Sequence, residues 1–287
     1  MIEGKKCAAI ILNYNDADSA ISFKDSIKGF DLIDYIIIID NCSQDGSYEK
    51  LRQITDLKVI VVKTEKNGGY GYGNNYGVNV ASDLSCDIAF ICNSDIVVDE
   101  NCFQTIARCL LDNSEAAICS AIQINGYTKQ PIKGVAWRLP TTFDYIRNSL
   151  VLLKRIVPVK DYDYINPLTK VDCVPGAFLG VDIAKFQEIG GYDEGIFLFC
   201  EESVLGARAQ KKGYSTYLCT NCAYYHFHST SIKKSYPKEI NTFKLTLKSR
   251  RYYLKKYRNA NGMLLKVVDL MFGVGLIEQS ILFRIRH

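Results

Sequence analysis

The sequence Ile88-Ala-Phe-Ile-Cys-Asn-Ser-Asp-Ile-Val-Val-Asp99 decides the fold that we predict. Residues 88–92 are all apolar, and a short apolar run is typical of a strand buried on both faces of a parallel sheet. The strand ends in Asn93-Ser94-Asp95, where a carboxylate is costly to bury unless something binds it. Open α/β sheets bind ligands at the carboxyl ends of their strands, and Mg²⁺ or Mn²⁺ prefers carboxylate and phosphate oxygens. The alternative is that these three residues only cap the following helix.

Two other apolar strands end in a polar side chain in the same way. Residues 7–13 end at Asn13, and residues 35–40 end at Asp40. Strand patterns alternate with helical patterns along the first half of the chain, which predicts a parallel sheet covered by helices on both faces. Because the carboxyl ends of parallel strands meet at one edge, we expect Asn13, Asp40 and Asp95 to line one site.

The composition is that of an ordinary globular protein. The chain has 287 residues and a net charge of +4, which does not indicate a nucleic-acid partner. The first residues lack the apolar segment of a signal peptide, and no uncharged apolar run reaches about 20 residues, so we expect a cytoplasmic protein without a transmembrane helix. The 11 cysteines lie inside apolar runs and are expected to be reduced and buried.

A glycine-rich stretch, residues 67–77, precedes the 88–92 strand. Its spacing fits neither the dinucleotide fingerprint nor the P-loop. The glycines would let the backbone approach a ligand closely, and Asn74 and Asn75 would offer side-chain amides to it. The alternative is a flexible turn before a helix.

Residues 125–170 differ in composition from the first half. They carry several prolines and glycines, many tyrosines and the only tryptophan, which predicts an irregular segment over the site. Trp137 and Arg138 would offer a stacking surface to a sugar acceptor. The alternative for Trp137 is a position in the core.

Two adjacent acids begin a predicted helix at Glu201 and Glu202. Acids at this position complement the positive end of the helix dipole, and Gly213 is a typical end for the helix. Capping does not explain the aromatic-rich residues 197–200 that precede the acids. Such surroundings would desolvate a carboxylate and raise its pKa toward that of a useful general base.

The spacing of Cys219, Cys222, His226 and His228 superficially resembles a zinc site. Residues i and i+3 of a strand face opposite sides, so the two cysteines converge only if the backbone turns tightly between them. The spacing also lacks the paired knuckles of structural zinc sites. We therefore do not expect a zinc site here.

The C-terminal residues 232–287 form a region of their own. Seven lysines and arginines between 244 and 258 are interleaved with tyrosines, and the apolar stretch 263–283 is interrupted by charges. This pattern predicts two helices that lie on an anionic membrane surface. Packing of these helices against the rest of the chain, or against a second copy of it, is the alternative.

Taken in order, these motifs resemble the family 2 glycosyltransferases, and within them the rhamnosyltransferase-like bacterial branch. The matching segments are residues 11–15, 39–47, 67–77, 93–95, 176–180, 190–194, 201–208 and 226–231. The resemblance implies a GT-A fold, which is an α/β, Rossmann-like mixed sheet with helices on both faces. It places the catalytic domain at 1–231, with a nucleotide-binding half to about 124, an acceptor half at 125–231 and a helical extension at 232–287.

The resemblance also implies an activity and a set of residue roles. The activity is transfer of a sugar, with inversion, from a uridine or thymidine diphosphate donor to a saccharide acceptor in the presence of Mg²⁺ or Mn²⁺. The positions carried over are Asn13, Tyr14, Asp40, Asn74, Asn75 and Asn93 for the donor, Asp95 and His226 for the metal, and Glu202 or Glu201 for the general base.

Two positions depart from the family pattern. Asn93 replaces the first acid of the DxD-type motif, which leaves Asp95 as its only carboxylate. The base position holds glutamate rather than aspartate, so Glu201 and Glu202 are not separated by sequence. A lipid-linked acceptor in cell-surface polysaccharide synthesis, at the inner face of the plasma membrane, is a further expectation. A nucleotidyltransferase, or a non-catalytic partner in a polysaccharide assembly complex, is the alternative.

Overall fold

The apolar strands of the sequence come together in one mixed sheet. The computed structural model describes residues 1–132, 134–158, 162, 164, 166–227 and 239–286. Within these residues the strands are β1 Cys7–Asn13, β2 Tyr35–Asp40, β3 Val59–Lys63, β4 Ile88–Cys92, β5 Ile96–Val97, β6 Ala116–Asn125, β7 Leu168–Val171, β8 Phe178–Asp182 and β9 Ser215–His226. Their order in the sheet is β3-β2-β1-β4-β8-β6-β9-β5, and β7 pairs with β9.

Helices cover both faces of this sheet. The helices of the described residues are α1 Ala17–Ile27, α2 Ser47–Leu51, α3 Tyr70–Asp83, α4 Glu100–Asp112, α5 Thr142–Ser149, α6 Val151–Ile156, α7 Ile183–Glu188, α8 Glu201–Lys211, α9 Glu239–Tyr257 and α10 Gly262–Arg286. Side chains of β2 alternate between two cores, one with α1 and α4 and the other with α3, α7 and α8. This arrangement confirms the predicted mixed α/β sheet with a helix layer on each face.

The predicted parallel strands pair as expected at one end of the sheet. β1 lies between β2 and β4, and both pairings are parallel. The four isoleucines 36–39 of β2 are fully buried, and each contributes roughly 1.5–3 kcal/mol relative to an exposed position. The antiparallel strand β8 then joins β4 to the second half of the sheet.

The glycine-rich stretch is the start of a helix rather than a loop. Residues 70–83 form α3, and its glycines lie directly against β1. A Cβ atom on Gly73 would lie 2.2 Å from a methyl group of Leu12, and one on Gly77 would lie 2.4 Å from a methyl group of Ile10. The absence of side chains therefore permits a close packing of helix on sheet that larger residues would prevent.

The segment 125–170, predicted to be irregular, contains two short helices and the start of a strand. These elements are α5, α6 and β7. Thr141 and Asp144 form a capping box at the start of α5, with the Thr141 backbone N–H donating to the Asp144 carboxylate at 2.8 Å. Tyr145 of α5 belongs to a third hydrophobic core that α8, α9 and α10 complete.

The C-terminal helices lie against the rest of the chain. Leu247 and Tyr253 of α9 and Val268 and Phe272 of α10 are buried in the third core. The packing alternative for this region is therefore confirmed for one face of the two helices. In the part of the chain that the structure describes, no helix is both long enough and apolar enough to cross a bilayer.

Candidate active site

The predicted site residues lie along one edge of the sheet. Asn13 and Asp40 are partners at the carboxyl ends of β1 and β2, and Cys92 ends β4 on the other side of β1. His226 ends β9 and lies opposite Ile96, which follows Asp95 directly. The topology therefore places the donor and metal positions of the sequence prediction side by side.

Asp40 closes the first part of this edge. Its carboxylate is fully buried and accepts hydrogen bonds from the Asn13 side chain at 2.9 Å and from the backbone N–H of Ser43 at 3.0 Å. Ser43 Oγ also accepts from the backbone N–H of Asn15 at 2.9 Å. These bonds join the loops after β1 and β2, and Tyr14 lies half-buried between them.

Two buried amide oxygens at this edge lack a partner among the described residues. They are Oδ1 of Asn13 and Oδ1 of Asn74. The Asn13 amide nitrogen donates to Asp40 and to Ser43, so its orientation is fixed and its oxygen stays available. A buried acceptor without a donor costs about 1–3 kcal/mol, which makes such an atom a candidate ligand contact.

Asn75 is bound within the chain itself. Its amide nitrogen donates to the carbonyl oxygen of Tyr192 and to Glu194, each at 3.0 Å, and its oxygen accepts from the backbone N–H of Tyr192 at 2.9 Å. Both ends of the amide are thus used to join α3 to the segment before α8. The expected donor contact of Asn75 stays a prediction.

The turn Asn93-Ser94-Asp95 does not cap α4. Asp99 performs that role, because its carboxylate accepts from the backbone N–H of Cys102 at 2.8 Å. Asn93 instead bonds through its backbone N–H to the carbonyl oxygen of Ala177 at 2.8 Å. The capping alternative for Asp95 is therefore excluded.

Asp95 contacts a buried chain of polar side chains. Its Oδ1 lies 3.2 Å from Nε2 of His226, and Nδ1 of His226 lies 2.8 Å from Nε2 of Gln123. The Tyr224 hydroxyl donates to Oε1 of Gln123 at 2.9 Å. Tyr224, Gln123, His226 and Asp95 thus form one continuous chain of side-chain contacts.

Sequence reasoning did not identify Gln123 or Tyr224 as site residues. Both are buried, with Gln123 4% and Tyr224 0% exposed. The sequence offers one signal for Gln123. This polar side chain directly follows the apolar run 117–122, and a buried amide needs hydrogen-bond partners. Its partner His226 is about a hundred residues away in sequence, so that signal does not reveal the contact.

Glu202 contacts the segment Gly176-Ala177, which also bonds to Asn93 of the turn Asn93-Ser94-Asp95. We call this turn the metal turn, after its predicted role. Its Oε1 accepts from the backbone N–H of Gly176 at 3.2 Å, and the Tyr70 hydroxyl donates to the carbonyl oxygen of Gly176 at 2.6 Å. A Cβ atom at position 176 would lie 2.8 Å from that carboxylate oxygen. Glycine at this position therefore lets the backbone approach Glu202.

Glu201 lies deeper than Glu202. Its side chain is 4% exposed, while that of Glu202 is half-buried. Burial raises the pKa of both carboxyls, and the neighbouring Glu202 raises the pKa of Glu201 further. In the described chain Oε1 of Glu201 has no hydrogen-bond partner. Both carboxyls therefore keep their protons to a higher pH than the carboxyl of an ordinary glutamate does.

The backbone leading to these acids is strained. Phe199 and Cys200 both have a φ of 71°, in the left-handed region that residues with a Cβ rarely adopt. Helix α9 supports this segment, since Ser249 Oγ donates to the carbonyl oxygen of Leu198 at 2.7 Å. The C-terminal region therefore contributes to the position of the acids at the start of α8.

Asp193 also joins α9 to the region around the two acids. Burial alone would raise its pKa, but hydrogen bonds from Lys256 and Tyr257 of α9 lower the pKa to about 2. Its carboxylate also lies 3.7 Å from Arg208 of α8. One buried carboxylate thus joins α8 and α9.

The predicted acceptor residues lie beside α8. Nε1 of Trp137 donates to Ser203 Oγ at 3.2 Å, one residue beyond Glu202. Arg138 is exposed, and its guanidinium lies 5.4 Å from the centre of the Tyr162 ring. The structure brings Trp137 close to the acids, and its contact with an acceptor stays a prediction.

Known proteins resemble this chain in sequence and in fold. The model of the family described as "Glycosyl transferase family 2" matches residues 8–160. The rhamnosyltransferase WbbL of Escherichia coli (strain K12) is 22% identical over 197 residues, which is 67% of this chain and 72% of WbbL.

Two solved structures share the fold. GalNAc-T7 with UDP, GalNAc and Mn²⁺ aligns with a TM-score of 0.59 at 16% identity, over 79% of this chain and 44% of that chain. The mannosyltransferase PcManGT from Pyrobaculum calidifontis with GDP-Man and Mn²⁺ aligns with a TM-score of 0.58 at 13% identity, over 96% and 75%. The chain thus spans less than half the length of the GalNAc-T7 chain.

The motif order, the GT-A sheet and the family match agree with one another. More than half of the chain lies within the family match, and the predicted rhamnosyltransferase-like branch is confirmed together with the GT-A fold. The chain belongs to glycosyltransferase family 2.

Proposed function

We propose that the chain transfers a sugar, with inversion, from a nucleoside diphosphate sugar to a saccharide acceptor. One observation carries this proposal. The adjacent residues Gly176 and Ala177 bond to Glu202 on one side and to Asn93 of the metal turn on the other. An acid suited to proton transfer and an acid suited to a metal are thus held at one short segment, as an inverting transfer requires.

The residues at the metal turn fit a divalent cation. Asp95 supplies a carboxylate and His226 an imidazole within 3.2 Å of each other, and both ligand types suit Mn²⁺, while the carboxylate also suits Mg²⁺. The structures of GalNAc-T7 and PcManGT both contain Mn²⁺. When bound, such an ion neutralises the charge that develops on the departing diphosphate.

The loops after β1 and β2 support a uridine or thymidine nucleoside. The unpaired oxygen of Asn13 is a hydrogen-bond acceptor of fixed orientation, and uracil and thymine both offer a ring N–H to such an atom. Asp40 holds the Asn13 side chain in this orientation, and we assign Tyr14, Asn74 and Asn93 to the donor as well.

We assign the general base to Glu202 rather than to Glu201. A base must reach the acceptor hydroxyl, and Glu202 is the more exposed of the two acids. Its raised pKa makes it a stronger base than an ordinary glutamate. Glu202 takes the proton as the acceptor oxygen attacks the anomeric carbon, a contribution of about 10²–10⁴-fold in rate. Trp137 and Arg138 would bind the acceptor beside it.

The exposed face of α10 supports an acceptor at a membrane surface. It carries apolar side chains that are each at least 37% exposed, namely Met263, Leu264, Val267, Leu270, Val274, Ile277 and Ile281. Lys244, Lys248 and Lys255 of the adjacent helix α9 are exposed as well. An apolar stripe beside basic side chains fits an anionic lipid surface, and we propose that a lipid-linked acceptor is presented there.

Vesicle flotation tests the membrane part of the proposal. The full chain should float with phosphatidylglycerol vesicles and not with phosphatidylcholine vesicles. The double variant Leu270→Glu/Ile277→Glu should stay in the pellet fraction, whereas Leu57→Glu, a control at a side chain that is 99% exposed elsewhere, should float. If the chain does not bind anionic vesicles and sediments as a dimer, the apolar stripe of α10 is instead a contact with a second copy of the chain.

A thermal-shift panel of nucleotide sugars, with and without Mn²⁺, tests the enzymatic part. We expect one uridine or thymidine diphosphate sugar to raise the unfolding temperature in the presence of Mn²⁺ and to lose this effect in Asp95→Ala. A panel without any stabilising donor contradicts the proposal. Release of pyrophosphate instead of a nucleoside diphosphate during turnover would identify a nucleotidyltransferase.

A further inference from the structure

Five cysteines lie together between α4 and the sheet. Cys102 and Cys109 are seven residues apart on α4 and so share a face, and they meet Cys119 of β6 and Cys219 and Cys222 of β9 in one hydrophobic core. Cys219 lies opposite Ala121 of β6 and His226 lies opposite Asn125, so the two are about 13 Å apart along the sheet. Cys219 is therefore separate from the proposed metal position at His226.

Three of these sulfurs form a compact triangle. The Sγ atoms of Cys109, Cys119 and Cys219 all lie within 4.8 Å of one another, and those of Cys119 and Cys219 are 3.4 Å apart. In a tetrahedral site with zinc–sulfur bonds of about 2.3 Å the sulfurs are about 3.8 Å apart, so separations of this size suit one ion.

A bulge in β9 explains why the sequence did not predict this cluster. The pairing of β6 with β9 shifts from Ala121 opposite Cys219 to Ile122 opposite Ala223. The extra residues let Cys219 and Cys222 point toward the same core, although residues i and i+3 of a regular strand diverge. The irregular backbone that convergence of these two cysteines requires is therefore present, although the sequence did not predict it.

The histidines of the sequence motif do not complete this cluster. His226 contacts Gln123 and Asp95 at the donor edge, and His228 lies outside the described residues. Cys102 and Cys222 lie in the same hydrophobic core as the triangle. The available ligands are thus sulfurs alone.

We propose that Cys109, Cys119 and Cys219 bind one zinc ion as thiolates and so link α4 to β6 and β9. Binding of Zn²⁺ forms three zinc–sulfur bonds and releases three thiol protons to solvent, with no change in oxidation state and a net charge of −1 on the site. The ion would enter while the chain folds, as in other structural zinc sites.

The ligand type of the triangle selects the metal, because all three ligand atoms are sulfurs. Thiolates select zinc and softer ions over Mg²⁺ and Mn²⁺, which prefer the carboxylate of Asp95. The two sites should therefore hold different metals in the same chain, and the zinc site does not depend on the proposed transferase reaction.

X-ray absorption of the full-length chain, refolded in the presence of Zn²⁺ and then dialysed, tests the proposal directly. We expect about one zinc per chain with three or four sulfurs at about 2.3 Å. Asp95→Ala should keep this spectrum, because the donor site is not involved. Zinc bound only by oxygen and nitrogen, or no retained zinc, would overturn the proposal.

Two cysteine variants add a matched comparison. Cys109→Ala should weaken zinc binding at least about 10-fold, as measured by competition with a chelator, and remove the zinc-dependent rise in unfolding temperature. Cys7→Ala changes a cysteine that is equally buried but lies outside the cluster, and it should keep both. Equal affinity in the two variants would show that the triangle does not bind the ion.

Discussion

The donor side and the base side of the site use the same kind of residue in opposite surroundings. On the donor side, the carboxylates of Asp40 and Asp95 are bound by Asn13, Ser43 and His226. On the base side, Glu201 and Glu202 are buried beside each other, and burial raises the pKa of both. The comparison teaches that burial beside a second acid, rather than residue type, raises the pKa of a carboxyl toward that of a general base.

The two sides also differ in how their backbone is held. The donor side follows regular parallel strands, so its polar residues are placed by the sheet itself. The base side follows two residues with a φ of 71° and relies on contacts from α9. Variants on each side should therefore have different effects: on turnover at the base side and on donor binding at the donor side.

Removal of the proposed base should give the largest change. Glu202→Gln keeps the shape of the side chain but cannot accept the proton, so we expect turnover to fall at least about 100-fold while donor binding changes little. Glu49→Gln, at an exposed glutamate of α2, should keep full activity. Wild-type turnover in the first variant would move the base to Glu201 or elsewhere.

Loss of the metal carboxylate should act on donor binding instead. In Asp95→Ala we expect the affinity for the donor in the presence of Mn²⁺, measured by calorimetry, to fall about 10–100-fold, because its only acid at the metal turn is gone. Asp99→Ala provides the control. It removes the cap of α4 and costs about 1 kcal/mol of stability, but it should leave donor affinity unchanged; undiminished affinity in Asp95→Ala would refute the assignment.

The side chain that orients His226 should have a smaller effect of the same kind. Gln123→Leu removes the hydrogen bond to Nδ1, and we expect about a 10-fold loss of Mn²⁺ affinity, since residues behind a metal ligand are worth about 10–100-fold. The measurement is a titration with Mn²⁺ followed by electron paramagnetic resonance. Gln187→Leu, at an exposed position of α7, should match the wild type. Equal Mn²⁺ affinity in the wild type and in both variants would show that His226 does not bind the metal.

The smallest expected effect is on stability. The pKa of Glu201 is raised above its ordinary value of 4.5, so the folded chain keeps a proton that the unfolded chain releases. The stability from this proton is fully present below the ordinary pKa and is lost as the pH rises through the raised one. Glu201→Gln should therefore flatten the fall in the free energy of unfolding above about pH 5, measured by urea denaturation. An unchanged slope, as we expect for Glu49→Gln, would show that the acid is not desolvated.

The sequence was sufficient where the fold depends on local patterns. The runs at 7–13, 35–40 and 88–92 are strands within those bounds, and their polar ends meet at one edge as predicted. Apolar strands followed by polar turns carry this information in a few adjacent residues. The order of motifs then sufficed for the family.

The sequence was insufficient where distant segments decide the structure. The helices at 142–149 and 151–156 pack on α10, more than a hundred residues away, and this contact is not visible in their local sequence. The bulge after Cys219 and the contact of Gln123 with His226 likewise depend on pairing between β6 and β9. The depth of Glu201 relative to Glu202 follows from the same long-range packing, so sequence could not separate the two acids.

One crystallographic measurement tests the central claim, which is that the metal acid and the base face one hollow. Crystals grown with Mn²⁺ and a uridine or thymidine diphosphate should show an anomalous scattering peak at the Asp95 carboxylate, next to the diphosphate. The Glu202 carboxylate should lie on the opposite side of the hollow and should not bind the ion. A manganese peak bound by Glu202, or one away from Asp95 altogether, would contradict the account.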